Sequence, residues 1–366
     1  MTKGEELYIS GALAEAFPVL EKEAKEGAAR AWFCLAQYDL HGLSHVRKHP
    51  LNASAHLARG ANGDTLCFLG LHFFTKPAGE DDRAAVLAAV AEAERLAEAG
   101  DVLACQCLSY VYRVGYKEYT ETDPAKGISY LEKAAEAGFW QAQNDLGLLY
   151  LNGTEVAADI PRGFSLLSAA AEKGIGLSLY HLAFCHIAGI GTEVDSVRGM
   201  SLYRKAWEAG CAEAAVELGM RYESGNGVKA DAAKAFRLYK KAAEEGSFEA
   251  MAHEADCRYD GKGTKADRGA AMKLYQRAAD AGDGYAMVRL GQIDFEKQKY
   301  KSAFSYFLQS ARKGLPVAQY LTGVCLLRGL GVGQNPDVGM KWLMQAAQNG
   351  SRDAAEALQQ LMPTQS

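Results

Sequence analysis

Proline is scarce in this chain, at eight residues in 366, and no stretch is both long and apolar enough to suggest a membrane span. The first excludes a proline-rich linker protein; the second excludes an integral helical membrane protein. There is no excess of positive charge either: 40 Lys and Arg face 45 Asp and Glu, a net −5. Nucleic-acid binders normally carry a basic stripe, so no nucleic-acid partner is expected. The eight cysteines are scattered without a CxxC pair, and Cys105-Gln106-Cys107 is too tight for an ordinary disulfide framework and lacks zinc-site spacing. Reduced, buried thiols are expected instead. The opening Met1-Thr2-Lys3-Gly4-Glu5-Glu6 is not followed by the apolar run of a signal peptide. The expected location is the cytoplasm.

What the chain has is glycine at a fixed period. Gly138, Gly174, Gly210, Gly246 and Gly282 are 36 residues apart without a slip, and Gly27, Gly63, Gly100, Gly314 and Gly350 continue the series with small changes of interval. A period of this length marks stacked helical repeats rather than two or three globular domains. Four residues after each anchor the side chain is small, as at Ala104, Ala142, Ser178, Ala214 and Ala250; eight after, it is usually Leu, as at Leu108, Leu146, Leu182 and Leu218. These positions share one face of a first helix, A. A second glycine fifteen residues after the anchor (Gly42, Gly115, Gly153, Gly189, Gly225, Gly261, Gly329) suits a left-handed C-terminal cap. Asp123, Asp159, Asp195, Asp231 and Asp267 each stand fifteen before the next anchor and read as N-caps of a second helix, B. In one unit B runs from Ala233 to Glu245 with Ala235, Leu238, Tyr239, Ala242 and Ala243 on its apolar face.

The segments Ala142–Gly153 and Ala214–Gly227, and the run Lys240-Lys241-Ala242-Ala243-Glu244-Glu245-Gly246, resemble the Sel-one-like repeat family, a relative of the tetratricopeptide repeats. The resemblance implies an all-α, right-handed α/α superhelical solenoid of about nine to ten helix hairpins, with the A helices on the concave side. The expected organisation is a single solenoid over 1–366: a capping segment at 1–26 with an opening helix from Ala12 to Glu26, repeats at 27–350, and a capping helix and tail at 351–366. Departures are the irregular Gly63 unit, the long Arg83–Ala99 helix preceded by Asp81-Asp82, Glu254 where Leu is usual, and the short Gly282–Gly314 unit with its Glu296-Lys297-Gln298-Lys299 loop. The paired cysteines of some secreted relatives are missing: the site three before each anchor reads Ala135, Ala171, Trp207, Ala243, Ala279, Ala311 and Ala347.

Catalytic chemistry finds no constellation. His41, His45, His49 and His56 form the one histidine cluster, but they read as a solvated inter-helix loop without the companion ligands of a metal site. Gly189-Ile190-Gly191, Gly225-Asn226-Gly227, Gly261-Lys262-Gly263 and Gly329-Leu330-Gly331 follow helices and lack the GK[ST] ending, so they read as repeat turns rather than phosphate loops. The resemblance carries over no catalytic residue and implies no cofactor. It implies a protein-interaction scaffold whose inner face bears, among others, Phe33, His41, Gln106 and Gln141. The candidate binding residues on that face are Tyr110, Arg113, Asn144, Tyr180, Phe184, Glu213, Glu223, Glu249, Asp256, Tyr259, Asp260 and Tyr285. From Glu213 to Asp260 the face shows acids without bases, which suggests a basic partner. Two alternatives stand beside a scaffold that binds a protein or peptide: a bacterial immunity protein covering a cognate toxin, and a metal-dependent protein using the His41–His56 loop.

Overall fold

A computed structural model describes residues 1–46, 48–74, 80–115 and 121–361, without the side chains of residues 45, 74 and 80–82. The Asp81 and Asp82 side chains, the His45 side chain and Met362 therefore lie outside the described residues. Among the described residues all regular structure is helical. The helices are α1 (Lys3–Ser10), α2 (Leu13–Lys25), α3 (Ala29–His41), α4 (Pro50–Gly60), α5 (Thr65–Phe74), α6 (Glu80–Glu98), α7 (Val102–Val114), α8 (Pro124–Glu136), α9 (Trp140–Asn152) and α10 (Ile160–Glu172). They continue as α11 (Gly176–Ala188), α12 (Ser196–Glu208), α13 (Ala212–Ser224), α14 (Ala232–Glu244), α15 (Phe248–Asp260), α16 (Arg268–Asp280), α17 (Gly284–Glu296), α18 (Tyr300–Ala311), α19 (Pro316–Arg328), α20 (Pro336–Gln348) and α21 (Arg352–Leu361). The chain forms two compact units, Met1–Leu218 and Gly219–Ser366.

The repeat chemistry is local and regular. Five B helices begin where Asp Oδ1 accepts the backbone N–H three residues on, at 2.9–3.0 Å for Asp123, Asp159, Asp195, Asp231 and Asp267; Asn335 does the same for α20, and α18 has no side-chain cap. The same aspartates use their own N–H groups to tie B to the end of A; Asp195 N–H donates to the His186 carbonyl at 2.8 Å and Asp267 N–H to that of Arg258 at 2.7 Å. The anchor glycines turn the chain out of B with φ between +75° and +106°, except Gly63, which has no positive φ. The small residue four after the anchor is 0 % exposed at Ala31, Ala104, Ala142, Ser178, Ala214, Ala250, Ala286, Ala318 and Ala354, so neighbouring helices meet there.

The Gly-x-Gly turns gain a reason that the sequence did not show. The first glycine caps A in the left-handed region. The second presses on the preceding B helix: a Cβ on Gly263 would lie 2.0 Å from the Ala232 carbonyl oxygen, and one on Gly331 would lie 2.0 Å from that of Tyr300. Close backbone approach admits nothing larger than glycine at these sites.

Several departures read as expected. The helix α6 is the longest, with 19 residues. The α17–α18 connection is only residues 297–299, with Gln298 at φ +60°. Glu254 is buried and pairs with Arg258 at 2.8 Å, and the guanidinium lies over the Phe236 ring. All eight cysteines are free and buried, and burial raises every thiol pKa, for example that of Cys107 to about 12.

The opening segment holds two helices rather than one. The extra helix α1 starts on a capping box, Thr2 accepting from Glu5 N–H while the Glu5 carboxylate accepts from Thr2 N–H. It packs inside the first unit. Tyr8 is 0 % exposed, its ring 5.9–6.0 Å from those of Tyr38, Phe139 and Trp140. The Tyr8 hydroxyl donates to Gln141 Oε1 at 2.9 Å, and Trp140 Nε1 donates to the Tyr8 carbonyl at 3.1 Å.

Candidate functional site

In the first unit, the odd-numbered helices α3, α5, α7 and α9 turn their non-stacking faces toward a common cleft of ≈ 350 Å³. Its walls include Phe33, Leu40, Leu57, Phe73 and Tyr110, and its polar lining is Gln37, His41, Gln106 and Gln141. Among the described residues no Asp, Glu, Lys or Arg contributes to the lining. The rim is open and apolar: Tyr110 is 44 % exposed and Val114 62 %. Five inner-face residues expected from the repeat register, Phe33, His41, Gln106, Tyr110 and Gln141, converge here from helices up to 108 positions apart. Phe73 was missed because its repeat, α5, is irregular; Gln37, Leu40 and Val114 stand at inner-face offsets of the α3 and α7 repeats but were not singled out.

Below the cleft lies a network of buried polar groups. Gln141 Nε2 is 3.2 Å from His41 Nε2; Gln106 Nε2 donates to Asp145 Oδ2 at 2.8 Å; Asn144 Oδ1 is 2.9 Å from His181 Nδ1. Burial lowers the pKa of His41 and pushes that of His181 down to about 4, so both rings are neutral near pH 7. His41, His49 and His56 are thus not the solvated inter-helix loop expected. His41 ends α3 and is built into this network; His49 caps α4, its Nδ1 accepting from Asn52 N–H; His56 lies within α4, 2.9 Å from Asp39. Their partners take them apart, and among the described residues no group of three His, Cys, Asp or Glu side chains could hold a metal ion.

The twelve candidate residues fall into three settings. Tyr110 and Phe184 are exposed aromatics, at 44 % and 50 %, and Glu249 is exposed as well. Asn144 is buried in the polar network, and Tyr180 packs its ring 5.5 Å from Tyr203. The remainder are held in ion pairs or aromatic contacts. Arg113 grips Glu155 through two bonds, at 2.6 and 3.1 Å, and Glu155 itself lies in the left-handed region at φ +65°. Glu213 pairs with Lys48; burial opposes its ionisation, but the attraction of Lys48 wins and the carboxyl sits below its ordinary range.

In the second unit Asp256 accepts from the hydroxyls of Tyr275 (2.5 Å) and Tyr285 (2.7 Å) and from Arg289 Nε (2.7 Å). The His253 ring is stacked between Tyr239 and Tyr285, 5.0 Å from each. Glu223 and Asp260 both approach Lys262, and Arg268 covers the Tyr259 ring. The acids of this stretch are therefore largely neutralised by Lys48, Lys262 and Arg289, bases that come from outside the helix faces read for the groove.

Helix hairpins capped by Asp and closed by left-handed glycine, stacked through small buried side chains, define an α/α helical repeat protein. The Sel1 repeat model matches residues 103–139, 140–175, 176–211, 212–247, 249–283, 284–315 and 316–351, and the chain belongs to that family. No curated protein matches it. Among solved structures it is similar to a protective antigen of uropathogenic Escherichia coli displaying an SLR fold, at 25 % identity, covering 94 % of this chain and 74 % of that one, with a TM-score of 0.52. A Sel1 repeat protein from Oxalobacter formigenes is 23 % identical over 94 % of this chain and 90 % of its own, with a TM-score of 0.50. An immunity protein from Pseudomonas aeruginosa is 20 % identical over 52 % of this chain and 73 % of its own, with a TM-score of 0.38. No helix among the described residues is long and apolar enough to cross a membrane.

Proposed function

We propose that this protein is a non-enzymatic scaffold that binds another polypeptide through the inner face of its repeats. The observation that carries the reading is the cleft beside exposed Tyr110 and Val114, whose described lining is uncharged, on the face that the repeat register assigns to the inner side of the A helices. Exposed aromatic groups beside a concave apolar site are the usual anchors of protein recognition. Among the described residues, the buried, protonated thiols and the histidines supply no activated nucleophile or three-ligand metal group that would favour an enzyme.

Within the candidate set, Tyr110 and Phe184 offer the most contact area in the first unit, while Asp256, Tyr285 and Asn144 hold their own helices together. The paired acids weaken the case for a strongly basic partner, and the immunity reading rests on the family resemblance alone. The test is capture of a partner by the intact protein against two variants, Tyr110→Ala with Phe184→Ala and Tyr259→Ala with Glu249→Lys. Loss of capture in either variant with unchanged thermal unfolding supports inner-face binding. Unaltered capture by both rejects it.

A further inference from the structure

The cleft of the first unit has an unbalanced hydrogen-bond inventory. Gln141 has both ends engaged: its Oε1 accepts from Tyr8 and its Nε2 faces His41. Gln106 is 5 % exposed and donates from Nε2 to Asp145, which fixes the sense of its amide, because the reverse would set a carbonyl oxygen against a carboxylate. Its Oε1 is then left buried with no hydrogen-bond partner. An orphaned acceptor in an apolar site is costly and favours a ligand that brings a donor.

Resting on the binding reading above, we infer that the cleft takes the side chain of a tryptophan from the partner polypeptide, with the indole N–H directed to Gln106 Oε1. A charged side chain would find no counter-charge among the described lining residues. Leucine or phenylalanine would leave the acceptor unmet, and a tyrosine hydroxyl would bring a further acceptor to satisfy. Indole is donor only, and its two fused rings suit the Phe33, Phe73 and Tyr110 walls. A volume of ≈ 350 Å³ lies at the small end of ligand sites, enough for one aromatic side chain while the partner's backbone stays at the Tyr110–Val114 rim.

The test is calorimetric titration of the full-length protein with acetylated, amidated peptides Gly-Gly-X-Gly-Gly, where X is Trp, 1-methyltryptophan, Phe, Leu or Lys. The expected result is saturable binding of the Trp peptide with a dissociation constant on the order of 1 mM. The 1-methyltryptophan and Phe peptides should bind roughly three- to tenfold more weakly and the Lys peptide not at all. Tyr110→Ala should weaken the Trp peptide, and Gln106→Leu should erase the difference between Trp and 1-methyltryptophan. Where Gln106→Leu does not fold, the 1-methyl comparison still decides, because it leaves the protein untouched. Equal binding of Trp, 1-methyltryptophan and Phe would overturn the tryptophan assignment and leave the scaffold reading standing. Binding of no peptide would overturn the assignment and remove the cleft from the proposed function, leaving that function to the capture experiment.

Discussion

Tyr8 offers the sharpest test of how the first unit is held together. Its ring is fully enclosed by Tyr38, Phe139 and Trp140, and its hydroxyl supplies the donor to Gln141 Oε1, 133 residues away in sequence. Tyr8→Phe keeps the ring and leaves Gln141, itself 3 % exposed, without that donor. The expected cost is about 1–2 kcal/mol. Tyr8→Ala also empties the aromatic cluster and loosens the seat of α1, with an expected cost of about 3–5 kcal/mol. Urea unfolding read by circular dichroism measures both. Hydrogen exchange should place the lost protection in α1, α3 and α9 and leave α19 of the second unit unchanged. A Tyr8→Ala cost below about 1 kcal/mol, or protection lost equally in α19, would refute the claim that α1 braces the first unit from inside.

Two further predictions test the network and the turns. Because burial lowers the His181 pKa to about 4 against 6.5 in the unfolded chain, the unfolded state binds the proton first as pH falls. Stability should therefore be complete above pH 6.5 and decline toward pH 4, by about 3 kcal/mol from this group. His41 adds the same sign, and His181→Gln should flatten the slope of the urea midpoint over that window; an unchanged slope would contradict the assignment. Gly263→Ala should destabilise by about 2 kcal/mol or more, since strain at φ +67° adds to overlap with the Ala232 carbonyl. Gly314→Ala, at φ +91° with nothing within 4 Å, should cost only the conformational strain of about 1 kcal/mol. Equal thermal shifts for the two would mean that the close approach is relieved elsewhere.

The glycine and aspartate pattern could be read without a structure because caps and left-handed turns are decided within four residues of the side chain that makes them. Asp195 needs only Arg198 N–H, and Gly189 only the end of its own helix. The same logic located Phe33, His41, Gln106, Tyr110 and Gln141 on one face, although the cleft they form depends on helix stacking. What stayed hidden was set by partners far apart in sequence. Much of the apparent acidity from Glu213 to Asp260 is offset by Lys48 on Glu213 and Arg289 on Asp256, which no local window connects to those acids. The helix α1 was missed although Thr2-Lys3-Gly4-Glu5 carries a capping-box pattern, and its seat against Trp140 has no local signal at all.

The central claim, that partners bind on the inner face at the cleft, is tested most directly by photo-cross-linking from single positions. A benzophenone amino acid in place of Tyr110 is compared with one in place of Val197, which is 77 % exposed on the B helix α12. The account predicts cross-links to the bound partner from position 110 and none from position 197. Cross-links from position 197 with none from position 110 would contradict it.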